Sequence, residues 1–123
     1  MPKNVLIVNR NHPLPSPLRA GYCDSFLCRL RGLMFRSHLD PAEGLLLVEA
    51  RDNRVDTSIH MLFVGMDLAV IWINTAGVVV DTVLARSWRL FYAPRQAARY
   101  ILEIAPERLK EFQVGDAIEF QNA

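Results

Sequence analysis

Histidine and cysteine are the side chains here with the most chemistry near neutral pH, and the chain holds three and two of them. His12 lies in the proline-rich stretch His12-Pro13-Leu14-Pro15-Ser16-Pro17, and His38 follows the first helical pattern. His60 sits in the apolar stretch Ser58-Ile59-His60-Met61, where a strand and a half-buried imidazole are expected. No H-x-H or H-x-x-E-H spacing occurs, so no metal site is expected. Neither a G-x-S-x-G elbow nor a G-x-G-x-x-G or phosphate loop is present, which leaves no sequence support for a hydrolase nucleophile or a nucleotide cofactor. Cys23 and Cys28 are five residues apart. On one helix that spacing points them to different faces, so two buried, reduced thiols are expected rather than a disulfide.

Arginine supplies the remaining chemistry. Twelve of the 14 Lys+Arg residues are Arg, the base suited to bidentate contacts and to stacking on rings. In Arg31-Gly32-Leu33-Met34-Phe35-Arg36 two arginines flank a glycine at a helix end, and Trp88, Arg89, Tyr92 and Arg95 interleave rings with guanidinium groups. Aromatic walls with a few guanidinium donors suit a cleft for an anionic or sugar-like ligand. The same residues also fit plain packing with arginines on a solvated surface.

The elements that would position these residues are short. A chain of 123 residues that is 51% hydrophobic can build one core, and residues 1–123 are read as a single domain. The net charge of +1 gives no bulk electrostatic reason for a nucleic-acid or membrane partner. The apolar run at residues 5–8 is too short for a signal-peptide core and no run is long enough to span a bilayer, so a soluble, cytoplasmic chain is expected.

Residues 4–9 read as a strand and 10–18 as a proline-rich connector. Phe26, Leu27, Leu30, Leu33 and Met34 recur at helical spacing behind Asp24 and Ser25, predicting a helix over 25–34, with Gly32 marking either a close approach or the helix end. Leu45-Leu46-Leu47-Val48 reads as a buried strand, and residues 57–84 as a three-stranded meander. Residues 87–95 read as an irregular loop and 97–104 as a strand. Pro106 opens a short helix, and 117–120 form the last strand. Strands follow strands without regular crossover helices, which predicts a mainly β fold: a sandwich or partly open barrel of about seven strands with two short helices.

Four blocks in this order resemble domain-of-unknown-function family 192: Arg31-Gly32-Leu33-Met34-Phe35-Arg36, Glu43-Gly44-Leu45-Leu46-Leu47-Val48, Ala98-Arg99-Tyr100-Ile101-Leu102-Glu103, and Val114-Gly115-Asp116 before an apolar strand. The likeness covers about residues 20–120 and implies a compact, jelly-roll-like β-sandwich with a few helices, but no activity. Many members carry a signal peptide or lipoprotein leader, and none is expected here. Where the family often has Trp-Met-Lys-Asn-Thr before Pro-Leu-Asp, this chain has His60-Met61-Leu62-Phe63-Val64 and Asp67-Leu68-Ala69. Ser58-Ile59-His60 is similar to a variant subgroup, and Ala69 replaces the family aspartate, with Asp67 two residues before it.

These readings lead to a non-catalytic binding module for a small polar or anionic ligand, or for a protein partner, using Arg31, Arg36, His60, Trp88 and Arg89. The alternative is an enzyme with His60 as general base and an arginine stabilising an anion. A third option is pairing through an exposed strand edge. No cofactor is expected, and the sequence leaves the oligomeric state open.

Overall fold

The computed structural model describes residues 3–123. Apolar side chains that alternate along short segments make strands, because successive side chains leave opposite faces. The strands are β1 Lys3–Asn9, β2 Arg19–Cys23, β3 Glu43–Asn53, β4 Leu68–Ile73, β5 Val79–Ala85, β6 Ala98–Ile104 and β7 Ile118–Asn122. One α-helix, α1 Phe26–Arg31, follows β2, and a 3-10 helix at Pro106–Glu111 follows β6.

The strands form one seven-stranded mixed sheet in the order β5-β4-β6-β3-β2-β1-β7. Neighbours are antiparallel except β2 and β3, which run parallel from Arg19 opposite Glu43 to Cys23 opposite Leu47. The edges approach each other at one point, a bridge between Val78 and Ala117, and the sheet does not close. The mainly β class and the two short helices therefore hold, but the two stacked sheets of a sandwich do not form.

β4 is buried along its whole length and shows how the core is divided. Ala69, Ile71 and Ile73 face one apolar cluster with Ile7, Leu46, Leu102 and Ile104. Leu68, Val70 and Trp72 face a second, whose outer wall comes from loop residues Leu33, Leu39, Ile59, Met61 and Val64. The long irregular segments thus cover the second face of the sheet.

Four expectations need correction. The strand expected at the start of the 57–84 meander does not form. Residues 57–67 are a loop, and Ile59 makes only an isolated bridge to Tyr92. Its apolar residues cover the sheet instead of joining it, tied down where Trp72 Nε1 donates 2.7 Å to the Thr57 carbonyl. The seventh strand is β2, whose Ala20 and Gly21 carry little β propensity; pairing on both sides holds it. The helix ends at Arg31, because Gly32 has φ +49° and returns its N–H to the Cys28 carbonyl. Finally, Cys23 and Cys28 form a disulfide. They do not share a helix: Cys23 ends β2, Cys28 lies in α1, and the chain turns between them to bring their Cα atoms to 5.7 Å.

A buried guanidinium holds the entry to the parallel pair. Arg108, 2% exposed, donates to the carbonyls of Ser16 (2.7 Å), Pro17 (3.2 Å) and Pro41 (2.7 Å) and pairs with Glu111 at 2.9 Å. Replacing it leaves the half-buried Glu111 carboxylate and three carbonyls without this partner. Arg108→Ala is expected to lower unfolding free energy by about 3 kcal/mol or more. Urea denaturation measures this, and a loss within the range of ordinary surface substitutions would contradict the clamp.

Candidate functional site

The second face of the sheet carries a cleft of about 430 Å³. Its floor is β3 and β6, which supply Leu47, Glu49, Ile101 and Glu103. One wall is α1 and the turn after it, with Phe26, Arg29, Leu30 and Gly32, and the other is the 55–67 loop, with Asp56, Ser58 and His60.

Strand alternation places Glu103. Leu102 and Ile104 face the first cluster and Ile101 the second, so Glu103 also faces the second, beneath the loops. It is 5% exposed, and its Oε1 has no hydrogen-bond partner among the described residues. A Cβ built on Gly32 would lie 3.8 Å from that oxygen, so this glycine forms the roof above the carboxyl. Burial pushes the Glu103 carboxyl up to about 7. Nδ1 of His60 is likewise buried without a partner.

Arg29 and Glu49 engage each other. Arg29 pairs with Glu49 at 2.7 Å and donates to the Val48 carbonyl at 3.2 Å and to the Asp24 carbonyl. Desolvation raises the Glu49 carboxyl; Arg29 opposes this and nearby Asp56 adds to it. With Glu49, Asp56 and Glu103 in its lining, the cleft is rich in acceptors. No group of three or more His, Cys, Asp or Glu side chains among the described residues could hold a metal ion.

The five residues singled out in the sequence divide between two places. Arg31 and His60 line the cleft, with His60 on a loop rather than the expected strand. Arg36, Trp88 and Arg89 lie outside it. Trp88 packs edge-on to Phe63 with centroids 5.2 Å apart, and Arg89 lies over Tyr92 at 5.6 Å. Glu49 and Glu103 were missed, although a lone carboxylate inside Ile101-Leu102-Glu103-Ile104 was the available signal. Ala69, where the resembling family has aspartate, is fully buried in the core. Asp67 instead accepts from the Ser87 N–H (2.8 Å) and Arg86 (3.1 Å), which hold its carboxyl below the usual range and fix the loop bearing Trp88.

The family model of DUF192, described as "Uncharacterized ACR", matches residues 7–120. The chain belongs to this family. Among its relatives, the UPF0127 protein of Thermococcus gammatolerans is 39% identical over 99 residues, 79% of this chain and 63% of that protein. The UPF0127 protein of Pyrococcus horikoshii is 34% identical over 118 residues, 94% of this chain and 98% of that one. The chain spans less than two thirds of the Thermococcus relatives' length, covering 63% of the T. gammatolerans protein and 61% of the T. kodakarensis protein. The fold is similar to that of a crystal structure from Novosphingobium aromaticivorans of unknown function: TM-score 0.81, 17% identity, covering 96% of this chain and 84% of that one. A candidate transcription regulator from Sinorhizobium meliloti gives TM-score 0.83 at 19% identity, covering 98% and 94%. At such identities the likeness shows the DUF192 fold alone.

Two predictions follow from the site's construction. Below an ordinary carboxyl value of 4.5, Glu103 is protonated in both folded and unfolded chains and has no effect on stability. As pH rises from there, the unfolded chain loses the proton first, so stability falls until the folded carboxyl ionises near 7. The loss then levels off at about 3 kcal/mol, on the order of 1.4 kcal/mol for each pKa unit. Glu103→Gln should remove this slope; a wild-type/variant stability gap that is constant across the interval would refute the assignment. The disulfide tethers a six-residue helix with no buried residue. Changing both cysteines to serine should cost about 2 kcal/mol by the loop-entropy relation, with faster amide exchange confined to α1 and the cleft wall. Unchanged exchange there would show that α1 is held by other contacts.

Proposed function

We propose that this chain is a non-catalytic binding module whose cleft takes a small polar ligand rich in hydrogen-bond donors, such as a polyol, a sugar or an amine. The observation that carries this reading is that His60 and Glu103 line one cleft and that His60 Nδ1 and Glu103 Oε1 are buried without a partner among the described residues. A buried polar atom without a partner costs free energy that a bound ligand could return. Arg31 and the apolar rim of Phe26 and Leu30 would enclose the ligand.

An anionic ligand fits less well. It would meet Glu49, Asp56 and Glu103, while Arg29 is already occupied by Glu49 and backbone carbonyls. One observation favours an enzyme as the second reading: a carboxyl shifted to about 7 in the same cleft as a histidine is suited to general acid–base work.

Thermal unfolding with monosaccharides, linear polyols, primary amines and inorganic phosphate tests the proposal. A polyol, sugar or amine should stabilise the chain, by about 2.7 kcal/mol at 100 times its Kd. His60→Ala and Glu103→Leu should abolish that shift while still folding. Stabilisation by phosphate alone, or by none of these compounds, would overturn the reading.

A further inference from the structure

The residues outside the cleft form a second feature. Phe35, Phe63 and Trp88 come from three separate turns, yet their rings pack in series. Phe35 and Phe63 stack with centroids at 5.5 Å, and Phe63 meets Trp88 edge-on at 5.2 Å. All three rings remain in the open, at 74%, 46% and 55% exposure. They are also the three non-glycine residues among those described with positive φ, at 65°, 61° and 65°. Bulky side chains rarely adopt that conformation, and it persists only where surrounding contacts impose it. Those contacts are present: the Phe35 N–H donates to the Phe63 carbonyl, Trp88 N–H to Met61, Gly65 N–H to Arg36, and Ser87 Oγ to Val64. The backbone is fixed in a strained form that displays the rings to solvent.

The platform adjoins the cleft. Gly32, Leu33 and Met34 line the cleft and lead directly to Phe35, and Val64 lines it next to Phe63. The cleft wall adds Phe26 and Leu30, and α1 adds Leu27, all exposed. Arginine is concentrated in the segments around this surface, although Arg29, Arg86 and Arg95 pair with Glu49, Asp67 and Asp81 from outside them. Segments 25–39 and 82–102 contain seven of the 14 Lys+Arg and none of the 13 Asp+Glu. They therefore carry +7 and the remainder −6, which the net charge of +1 conceals. Arg31, Arg36 and Arg89 are exposed and make no ion pair among the described residues.

The geometry points to an anionic membrane surface as the occupant of this platform. Rings with exposed leucines suit the region between headgroups and acyl chains, while arginines reach the headgroup charge. A second copy fits poorly, because a two-fold contact through this patch sets Arg31, Arg36 and Arg89 against their own symmetry mates. Single-stranded nucleic acid would match the charge and the rings but gives Leu27 and Leu30 nothing to pack on. Docking would be peripheral, since no helix is long and apolar enough to cross a membrane.

Trp88 supplies the readout. The chain has two tryptophans, and Trp72 is 1% exposed, so an emission change on docking reports Trp88. The full chain is mixed with phosphatidylcholine vesicles with and without phosphatidylglycerol. Emission should shift to the blue, be quenched by brominated acyl chains, and do so only with the anionic vesicles. Phe35→Ser with Phe63→Ser should weaken binding about tenfold or more, and Arg36→Glu with Arg89→Glu should do the same. Val114→Ser, at an exposed apolar residue on the turn before β7, should leave binding unchanged. Circular dichroism confirms that each variant folds. Absence of binding to anionic vesicles, binding that the serine variants retain, tight binding to oligouridylate in place of vesicles, or a dimer by light scattering that the serine variants abolish would each overturn the proposal.

Discussion

The parallel pairing of β2 with β3 is the constraint on which the functional surface depends. Antiparallel neighbours can be joined by a tight turn, but parallel neighbours need the chain to return to the starting end of the sheet. Here that return is residues 24–42, and it passes over one face of the sheet. α1, the disulfide, Arg29, Gly32 and Phe35 all lie on it. Arg108 holds the pairing at its start by binding the carbonyls of Pro17, just before β2, and of Pro41, just before β3. One guanidinium thus ties together the starts of the two parallel strands and fixes where the crossover ends. The other carbonyl it binds, Ser16, belongs to the proline-rich connector, whose prolines cannot enter a ladder themselves.

A sheet with one face covered by loops must satisfy the backbone of those loops without a ladder. The structure does so with a few specific contacts. Trp72 holds Thr57, Asp67 holds Ser87, Tyr92 bridges to Ile59, and Asn9 with Asp116 ties the end of β1 to the approach to β7. Burial alone would raise the Asp116 carboxyl, but hydrogen bonds from Asn9, the Gln113 N–H and His12 outweigh it and hold it below the ordinary range. Glu103 is the contrast. It lies deeper and has no donor on Oε1 among the described residues, so desolvation prevails and its carboxyl rises. The two carboxyls shift in opposite directions because both their depth and their partners differ, and this separates the structural acid from the one available to a ligand.

The elements legible in the sequence were those with strong local patterning. β1, the β4–β5 hairpin, β6 and the Pro106-initiated helix follow from apolar alternation, turn residues and a proline in the first helical turn. β2 was not legible, because Arg19-Ala20-Gly21-Tyr22-Cys23 has no strong period and gains its order from two neighbours distant in sequence. The 57–64 stretch misled for the complementary reason: its apolar residues are buried as a cover, and burial without alternating ladder contacts looks the same in one dimension. The disulfide was missed because the spacing of five was weighed as if both cysteines lay on one helix, whereas Cys23 ends β2. At the site, His60 and the arginine-aromatic clusters stood out by residue type, but their division between cleft and platform is a property of the crossover path. Glu103 was given no role from the sequence, because only the overlying loops make its side of β6 an interior.

The cleft and the platform adjoin each other but follow opposite electrostatic rules. Carboxyls dominate the cleft, and its one inward arginine, Arg29, is tied to Glu49 and to backbone. Around the platform Arg31, Arg36 and Arg89 make no ion pair among the described residues, whereas Arg86 and Arg95 pair with Asp67 and Asp81 from other segments. Charge was therefore not mixed evenly over this face, which would have been the lower-energy arrangement for isolated surface groups. The strained backbone at Phe35, Phe63 and Trp88 points the same way, since positive φ at three bulky residues persists only where surrounding contacts impose it. Two departures from what folding alone favours, like charges kept together and rings kept out, coincide on one patch beside a cleft holding unpaired buried polar atoms. That coincidence separates this face from the rest of the surface, and it rests on side-chain geometry alone.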